Sequence, residues 1–408
     1  MLAPQLPFPA DKGTRIRNFG LVRELSRRHD VSVLCFGDPH DREAIAGLEA
    51  YCRVIGVITP PRRPVMLRIV QACLDPMPDL ARRLWSPAFV ARLRESMFAW
   101  RWDVVLIEGL EMMPHWYAVA NQFHRTVILD EHNAEWLLQL RAARLDGKIG
   151  RFMGAIYSAI QAVKLRFYEG RAIEFVSGVA VVSIQDGAAL RTIGRPRKLA
   201  IVPNGVDTEV LCLRASDPGG DIVLFTGTMD FRPNVDGVIW FAAEVWPKIR
   251  KACPNARFVI AGRDPTRVVR NLDRRDGIEV VGAVRDMNVQ FDRACVYVVP
   301  LRMGGGMRLK ILEALARGIP VVSTPLGAEG IDLVDGRDAI LASASEHLAA
   351  AVIELLNNPQ RRRQLTQAGR SLVERLYDWK SIVPQLEKLI QFSSQSMEAR
   401  AKLTVASG

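Results

Sequence analysis

Two α/β domains, each a doubly wound parallel sheet, are the fold this sequence predicts, and three observations predict it. The first is length: 408 residues exceed one ordinary hydrophobic core and suit two domains of about 200 residues each. The second is pattern: short β-branched runs alternate with amphipathic stretches almost throughout, as in parallel sheets covered by helices on both faces. The third is a restart of that pattern after VPNGVDTEV (202–210), where Pro203, Asn204 and Gly205 supply turn chemistry and the chain runs into the loop ASDPGGD.

In the first half the expected strands are Val31–Phe36, Val54–Ile58, Val104–Ile107, Thr126–Leu129 and Gly178–Val182. A further strand should precede the loop PADKGTR, and only Met1–Pro4 is available to form it. Ile16, Phe19, Val22 and Leu25 then recur at helical spacing and predict the apolar face of the helix that follows. The second half predicts strands at Ile222–Thr226, Arg257–Ile260, Ile278–Val281, Cys295–Val299 and Pro320–Ser323, then two long helices after Gly336. Tyr377, Asp378 and Trp379 open a last helix. The expected domains are 1–203 and 204–377, with the closing helix 378–396 crossing back to the first.

A hydrophobic fraction of 49% with 24% charged residues belongs to a soluble globular chain. No apolar run reaches the roughly 18 residues of a membrane span, and the N-terminus lacks the basic start and apolar stretch of a secretory signal, so a cytoplasmic location is expected. The six cysteines (Cys35, Cys52, Cys73, Cys212, Cys253, Cys295) are scattered, with no zinc-site spacing. Residues 1–200 carry 28 Lys+Arg against 20 Asp+Glu, most of the chain's net +11. The basic windows 51–100 and 151–200 lack the aromatic and Gly pattern of RNA-binding modules, which excludes nucleic acid as the expected partner. An anionic membrane surface, met through residues such as Arg62, Arg63, Arg82, Arg83, Lys164 and Arg166, is the expected one, placing the protein peripherally on the inner leaflet.

The segment PLRMGGGMRLKILEALARGIPVVSTPLGAEG (300–330) carries the most chemistry. Gly304, Gly305 and Gly306 let the backbone approach a ligand, and the helix expected from about Met307 to Ala316 offers its N–H groups and positive dipole end to an anion such as a diphosphate. Arg308 and Lys310 add mobile positive charge beside it. Glu313, seven residues past Gly306 and two turns along the same face, suits ribose hydroxyls. FVIAGRDP (258–265) is a strand followed by Gly262, Arg263 and Asp264. In the first half, ILDEHNAEW (128–136) sets Asp130, Glu131, His132 and Asn133 after a strand, at the edge where open α/β sheets bind ligands, with His115 a second histidine candidate. Gly13 in PADKGTRIR permits close approach of donor or acceptor, and Arg15 or Arg17 would face a phosphate.

Residues 300–330, VPNGVD (202–207) and FTGTMDFRPNVDG (225–237) resemble the corresponding segments of glycosyltransferase family 4, retaining enzymes of GT-B fold. The GGGMRLKILEA variant resembles the sugar transferases associated with bacterial exopolysaccharide and exosortase systems. The resemblance implies two Rossmann-like domains facing across a cleft, with the donor held mainly by the second. It assigns donor contacts to Gly13, Gly227, Arg232, Gly262, Arg263, the three glycines and Glu313, catalytic roles to His132, Arg308 and Lys310, and the acceptor side to Arg15 and Glu131.

The family usually has two glutamates separated by seven residues. The second matches Glu313, but Gly305 stands at the first, so one contact to the sugar is missing. Where the family commonly places Arg and Lys after the first strand of the second domain, this chain has Thr228 and Asn234.

The implied reaction moves a sugar from a nucleoside diphosphate sugar to an acceptor hydroxyl with retention, in exopolysaccharide or other cell-surface glycan synthesis. Its acceptor would be a glycan or lipid-linked glycan. No DxD motif sits where a metal would bridge sugar and diphosphate, so neither metal nor cofactor is expected. The rivals are a GT-B nucleotide-sugar epimerase, which would act without acceptor, and a non-catalytic nucleotide-sugar-binding subunit. A dinucleotide dehydrogenase is disfavoured, because no GxGxxG follows a predicted strand.

Overall fold

In the computed structural model the chain divides into two compact units: Met1–Pro203 together with the residues from Ile382 onward, and Asn204–Ser381. The description covers the whole chain except residues 12, 65–70, 72–74, 149, 305 and 407–408, and the side chains of 397–406. Cys73 and Gly305 therefore lie outside the described residues.

The first unit is built on seven parallel strands: β1 (Leu2–Ala3), β2 (Ser32–Phe36), β3 (Arg53–Ile58), β4 (Val104–Glu108), β5 (Thr126–Glu131), β6 (Gly178–Val181) and β7 (Leu199–Ile201). Their order is β3-β2-β1-β4-β5-β6-β7. The two residues of β1 hold the middle of the sheet, Leu2 beside Leu34 and Ile107, Ala3 beside Cys35. So short a strand suffices there because it is flanked on both sides, and because the buried chain around it packs Leu6, Val33 and Leu48 on one face and Phe36, Ile107 and Leu129 on the other.

The helix Gly13–Leu25 returns from β1 with a face that differs from the apolar periodicity. Ile16 and Phe19 are half-buried, whereas Arg17 and Asn18 are fully enclosed beside Leu21 and Val22. A buried guanidinium is tolerated only when paired and hydrogen-bonded, and Arg17 is both, as shown below.

The second unit repeats the plan with β8 (Ile222–Thr226), β9 (Arg257–Ala261), β10 (Ile278–Gly282), β11 (Val296–Val299), β12 (Val321–Ser323) and β13 (Ile340–Leu341), in the order β10-β9-β8-β11-β12-β13, all parallel. Phe225, Phe241, Phe258, Tyr297, Leu312 and Val322 are among its buried core. Both sheets reverse direction beside their first strand, between β1 and β4 and between β8 and β11. Open α/β sheets bind ligands at such switch points, beyond the carboxyl ends of the strands.

The closing helix, Trp379–Ala406, begins in the second unit and from Ile382 belongs to the first, where Ser393 Oγ donates to the carbonyl of Ser177.

Candidate functional site

In the second unit the switch point is assembled from three short segments. Gly227 follows β8, the helix Arg232–Trp240 brings Asn234, and the helix Leu309–Ala316 brings Lys310 and Glu313. Lys310 Nζ donates to the Thr226 carbonyl at 2.6 Å and to Asn234 Oδ1 at 3.1 Å, and lies 4.3 Å above the Phe225 ring. Asn234 Nδ2 in turn donates to the Thr228 carbonyl at 2.9 Å.

Lys310 is thus held in one position rather than mobile as expected from its sequence context. Its helix starts at Leu309, so its side chain is aimed at the sheet end instead of at solvent. Burial, reinforced by the Arg308 charge and partly offset by Glu313, brings its pKa down to about 7. Burial also raises Glu313, against the pull of Arg317 and Lys310.

Two glycines make room for this arrangement. Gly227 has φ +153°, and a Cβ there would stand 2.7 Å from Asn234 Nδ2 and 2.8 Å from Lys310 Nζ. A Cβ on Gly262 would stand 1.8 Å from the Gly227 carbonyl oxygen. The two strand ends, β8 and β9, approach closely only because both residues lack side chains.

Arg308 caps the Leu309–Ala316 helix in extended backbone, and its guanidinium reaches back to Gly304, where a Cβ would stand 2.6 Å from one terminal nitrogen. Gly306 has φ +81°. Arg232 opens the Arg232–Trp240 helix and is half-buried, while Arg263 is exposed and 3.8 Å from Asp264. The structure therefore brings Gly227, Gly262, Lys310 and Glu313 to one strand-end cluster and leaves Arg263 at its solvent edge.

In the first unit the register of β4 and β5 sets Glu108 beside Asp130. Arg17 clamps Asp130 through Nε to Oδ2 at 2.8 Å and through a terminal nitrogen to Oδ1 at 2.6 Å. It also donates to the carbonyls of Val202 and Pro203. Arg17 is therefore spent within the protein and does not face a phosphate.

His132 Nε2 meets Glu108 Oε2 at 3.2 Å, and the Asn18 amide, with its nitrogen toward that carboxylate, donates to the same oxygen at 2.8 Å. Burial and the Asp130 charge push Glu108 up to about 7, against the pull of His132 and Arg17. Burial would lower His132, but its bond to Glu108 and the Asp130 charge outweigh that and raise it. Asp130 stays low, since Arg17 overcomes the cost of its burial. The result is a histidine that is readily protonated, with Nε2 tethered to Glu108.

Glu108, Asp130 and His132 each present an atom within 4.8 Å of the others, the one such metal-compatible cluster among the described residues. Arg17 occupies both Asp130 oxygens there, so a cation would have to displace a guanidinium.

Two expectations are corrected in this unit. Glu131, expected on the acceptor side, is 1% exposed, and burial with the charges of Glu169, Glu135 and Glu111 raises its pKa well above the usual range. Strand alternation explains this: Asp130 turns toward Arg17, so Glu131 turns away from it. His115 is packed against Phe89, Trp85 and Phe36, and burial lowers its pKa to about 4, making it a neutral core residue. Gly13 starts its helix at an exposed position, and Arg15 forms an ion pair with Asp11 on the same turn.

Sequence reading did not single out Glu108 as a histidine partner or Asn234 as the holder of Lys310. The position of Glu108 as the last residue of an apolar strand was the available signal.

Two doubly wound parallel sheets in succession, each with polar groups gathered at its switch point, define the GT-B architecture. A family model described as Glycosyltransferase Family 4 matches residues 13–210, and one described as Glycosyl transferases group 1 matches residues 220–358. The chain belongs to glycosyltransferase family 4.

It is 27% identical over 174 residues to an uncharacterized 44.6 kDa protein in the cps region of Klebsiella pneumoniae, covering 41% of this chain and 45% of that one. It is 28% identical over 216 residues to the phosphatidyl-myo-inositol mannosyltransferase of Mycobacterium leprae, covering 50% and 56%. The chain spans about half the length of the curated relatives it matches. Among solved structures, it is similar to sucrose-phosphate synthase of Thermosynechococcus elongatus, at 20% identity and TM-score 0.69, with 96% and 98% of the chains covered. The Anabaena protein HepE in complex with UDP-glucose matches at 13% identity and TM-score 0.66, with the same coverage.

Proposed function

We propose that this protein transfers a sugar from a nucleoside diphosphate sugar to an acceptor hydroxyl with retention of configuration. The observation that carries this reading is Lys310 held at the β8–β11 switch point by Thr226 and Asn234 against a glycine that leaves it accessible. Two of its three protons are used by those acceptors, which leaves one for an anion. The first N–H groups of the Leu309–Ala316 helix, ahead of the Ile311 N–H that donates to the Arg308 carbonyl, would add donors for the same anion.

A departing nucleoside diphosphate carries its charge away from the sugar. Fixed N–H dipoles, Lys310 and Arg308 lower the barrier by meeting that charge with groups already in place. Glu313 takes the ribose hydroxyls. In the first unit His132, tethered by Glu108, is the group assigned to the transferred sugar. No side-chain nucleophile and no metal are invoked. HepE, whose structures contain UDP, glucose and UDP-glucose, supports a sugar nucleotide as donor.

The acceptor we assign is a glycan or lipid-linked glycan used in exopolysaccharide or other cell-surface glycan synthesis, reached on the cytoplasmic side of the membrane. The relative in the Klebsiella cps region and the mannosyltransferase named for phosphatidyl-myo-inositol support this reading. No helix of the described residues is long and apolar enough to cross a membrane.

The test is a panel of UDP-, GDP- and dTDP-sugars. The true donor at 100 times its dissociation constant should stabilise the fold by about 2.7 kcal/mol, and should release nucleoside diphosphate only when acceptor is present. Conversion of the sugar nucleotide without acceptor would make the protein an epimerase. Binding without turnover on any acceptor would make it a binding subunit.

A further inference from the structure

The helix Phe152–Phe175 leaves a long apolar stripe in solvent. Phe152, Ile156, Ile160, Val163 and Phe167 follow one another at spacings of four, four, three and four residues, which sets them on one face. All five are exposed, Phe152 by 70% and Phe167 by 66%. Monomeric soluble proteins rarely leave such a stripe uncovered.

At its Phe167 end the stripe meets a pocket of about 280 Å³, lined by Arg166, Phe167, Gly170, Arg171, Thr192 and Ile193, with Glu174 the only acidic group. One carboxylate oxygen of Glu174 already accepts the Arg195 backbone N–H at 2.9 Å. Thr192 and Ile193 line the pocket, and the segment 191–198 around them carries Arg191, Arg195, Arg197 and Lys198, all exposed, and no acid.

Arg171, Arg191, Arg195 and Arg197 form no ion pair among the described residues. By contrast, Arg63 is paired with Asp79, Arg82 with Asp75 and Arg83 with Glu111. These three basic residues of the 51–100 window are thus neutralised within the protein, whereas Arg171 lines the pocket beside the stripe and Arg191, Arg195 and Arg197 flank Thr192 and Ile193, which also line it.

We infer that this face is the seat of an anionic bilayer: the stripe enters the lipid surface, and the arginine-lined pocket takes a lipid phosphate. The inference rests on the proposed transfer to a membrane-side acceptor and names the surface that would bring the enzyme there. A helix with apolar residues on one side and basic residues flanking them is the chemistry of interfacial binding. A second copy of this chain is the poorer occupant, because docking stripe on stripe would set one arginine-rich rim against another, whereas anionic lipid complements it.

Flotation with vesicles tests the inference. The full chain should float with vesicles of phosphatidylcholine mixed with equal parts phosphatidylglycerol at low salt, at least tenfold more than with phosphatidylcholine alone, and less as salt is raised. The double variants Ile160→Asp with Phe167→Asp, and Arg171→Glu with Arg195→Glu, should each lose at least tenfold of that binding. Circular dichroism and thermal melting should be unchanged, since all four side chains are exposed.

Absence of binding by the wild type, or equal binding by the variants, overturns the inference. So does a wild-type dimer in sedimentation that the apolar variant dissociates while lipid is ignored. Calorimetric binding of nucleoside diphosphates, read on the same preparations, separates the two readings: its failure alone removes the transfer reading, and failure of flotation alone removes the bilayer seat.

Discussion

Arg17 and Asp130, 113 positions apart in sequence, close on each other through two hydrogen bonds of 2.8 and 2.6 Å, with side chains 1% and 0% exposed. Because Arg17 also binds the carbonyls of Val202 and Pro203, the pair ties the first helix, β5 and the end of the first unit together. Removing one partner leaves the other charge buried and unpaired. Asp130→Asn or Arg17→Met is expected to cost about 3–5 kcal/mol in urea unfolding. Arg15→Met, which breaks an exposed pair with Asp11, should cost under about 1 kcal/mol. Equal costs would contradict the assignment of Arg17 as the structural clamp.

Glu108 links stability to pH. Burial and Asp130 hold it at about 7 against an ordinary 4.5, so between those values the native chain keeps a proton that the unfolded chain has shed. Stability therefore falls as pH rises through that window. His132, also raised, adds a contribution of the same sign that is lost as pH rises through its folded value. Glu108→Gln should flatten the fall in melting temperature between about pH 5 and 7, and should lower the His132 pKa measured by NMR. An unchanged His132 titration would show that Glu108 does not control it.

His132→Ala and Glu313→Ala should separate chemistry from binding. The first should lower kcat strongly while leaving affinity for a free nucleoside diphosphate intact, because His132 is assigned to the sugar. The second should weaken that affinity, because Glu313 is assigned to the ribose. Paired kinetic and calorimetric measurements check both. The same loss of nucleotide affinity in the two variants would remove the division of roles.

Gly227→Ala introduces a methyl group where 2.8 Å separates it from Lys310 Nζ, at a backbone φ of +153° that disfavours any side chain. The variant should lose nucleotide affinity at least tenfold and melt at lower temperature. Retained affinity would show that Lys310 does not need its observed position.

The strands were the most legible part of this fold. The bounds of β8 were read directly from the run Ile222–Thr226, because a buried parallel strand is a continuous apolar run between turn residues. Two strands escaped. β7 is the three residues Leu199–Ile201 at a sheet edge, half-exposed to exposed, and β13 is the pair Ile340–Leu341, both too short for periodicity to register.

The candidate sites were less legible, for a physical reason. A charge on a helix reads as solvated, yet Arg17 is enclosed, because its partner arrives from a strand more than a hundred residues away. Lys310 reads as mobile, yet it is fixed, because Asn234 and a strand-end carbonyl reach it from separate segments. Asp130 and Glu131 read alike in sequence and turn to opposite faces of one strand.

The central claim is that Lys310 at the β8–β11 switch point receives the donor's diphosphate, and calorimetry of nucleoside diphosphate binding tests it most directly. Burial brings Lys310 down to about 7, so at about pH 8 it is mostly neutral, and an arriving diphosphate should recharge it. Titrations in two buffers of different ionisation enthalpy should show proton uptake by the wild type. Lys310→Met should show none and should bind at least tenfold more weakly. Equal affinity and equal proton uptake in the two proteins would contradict the account.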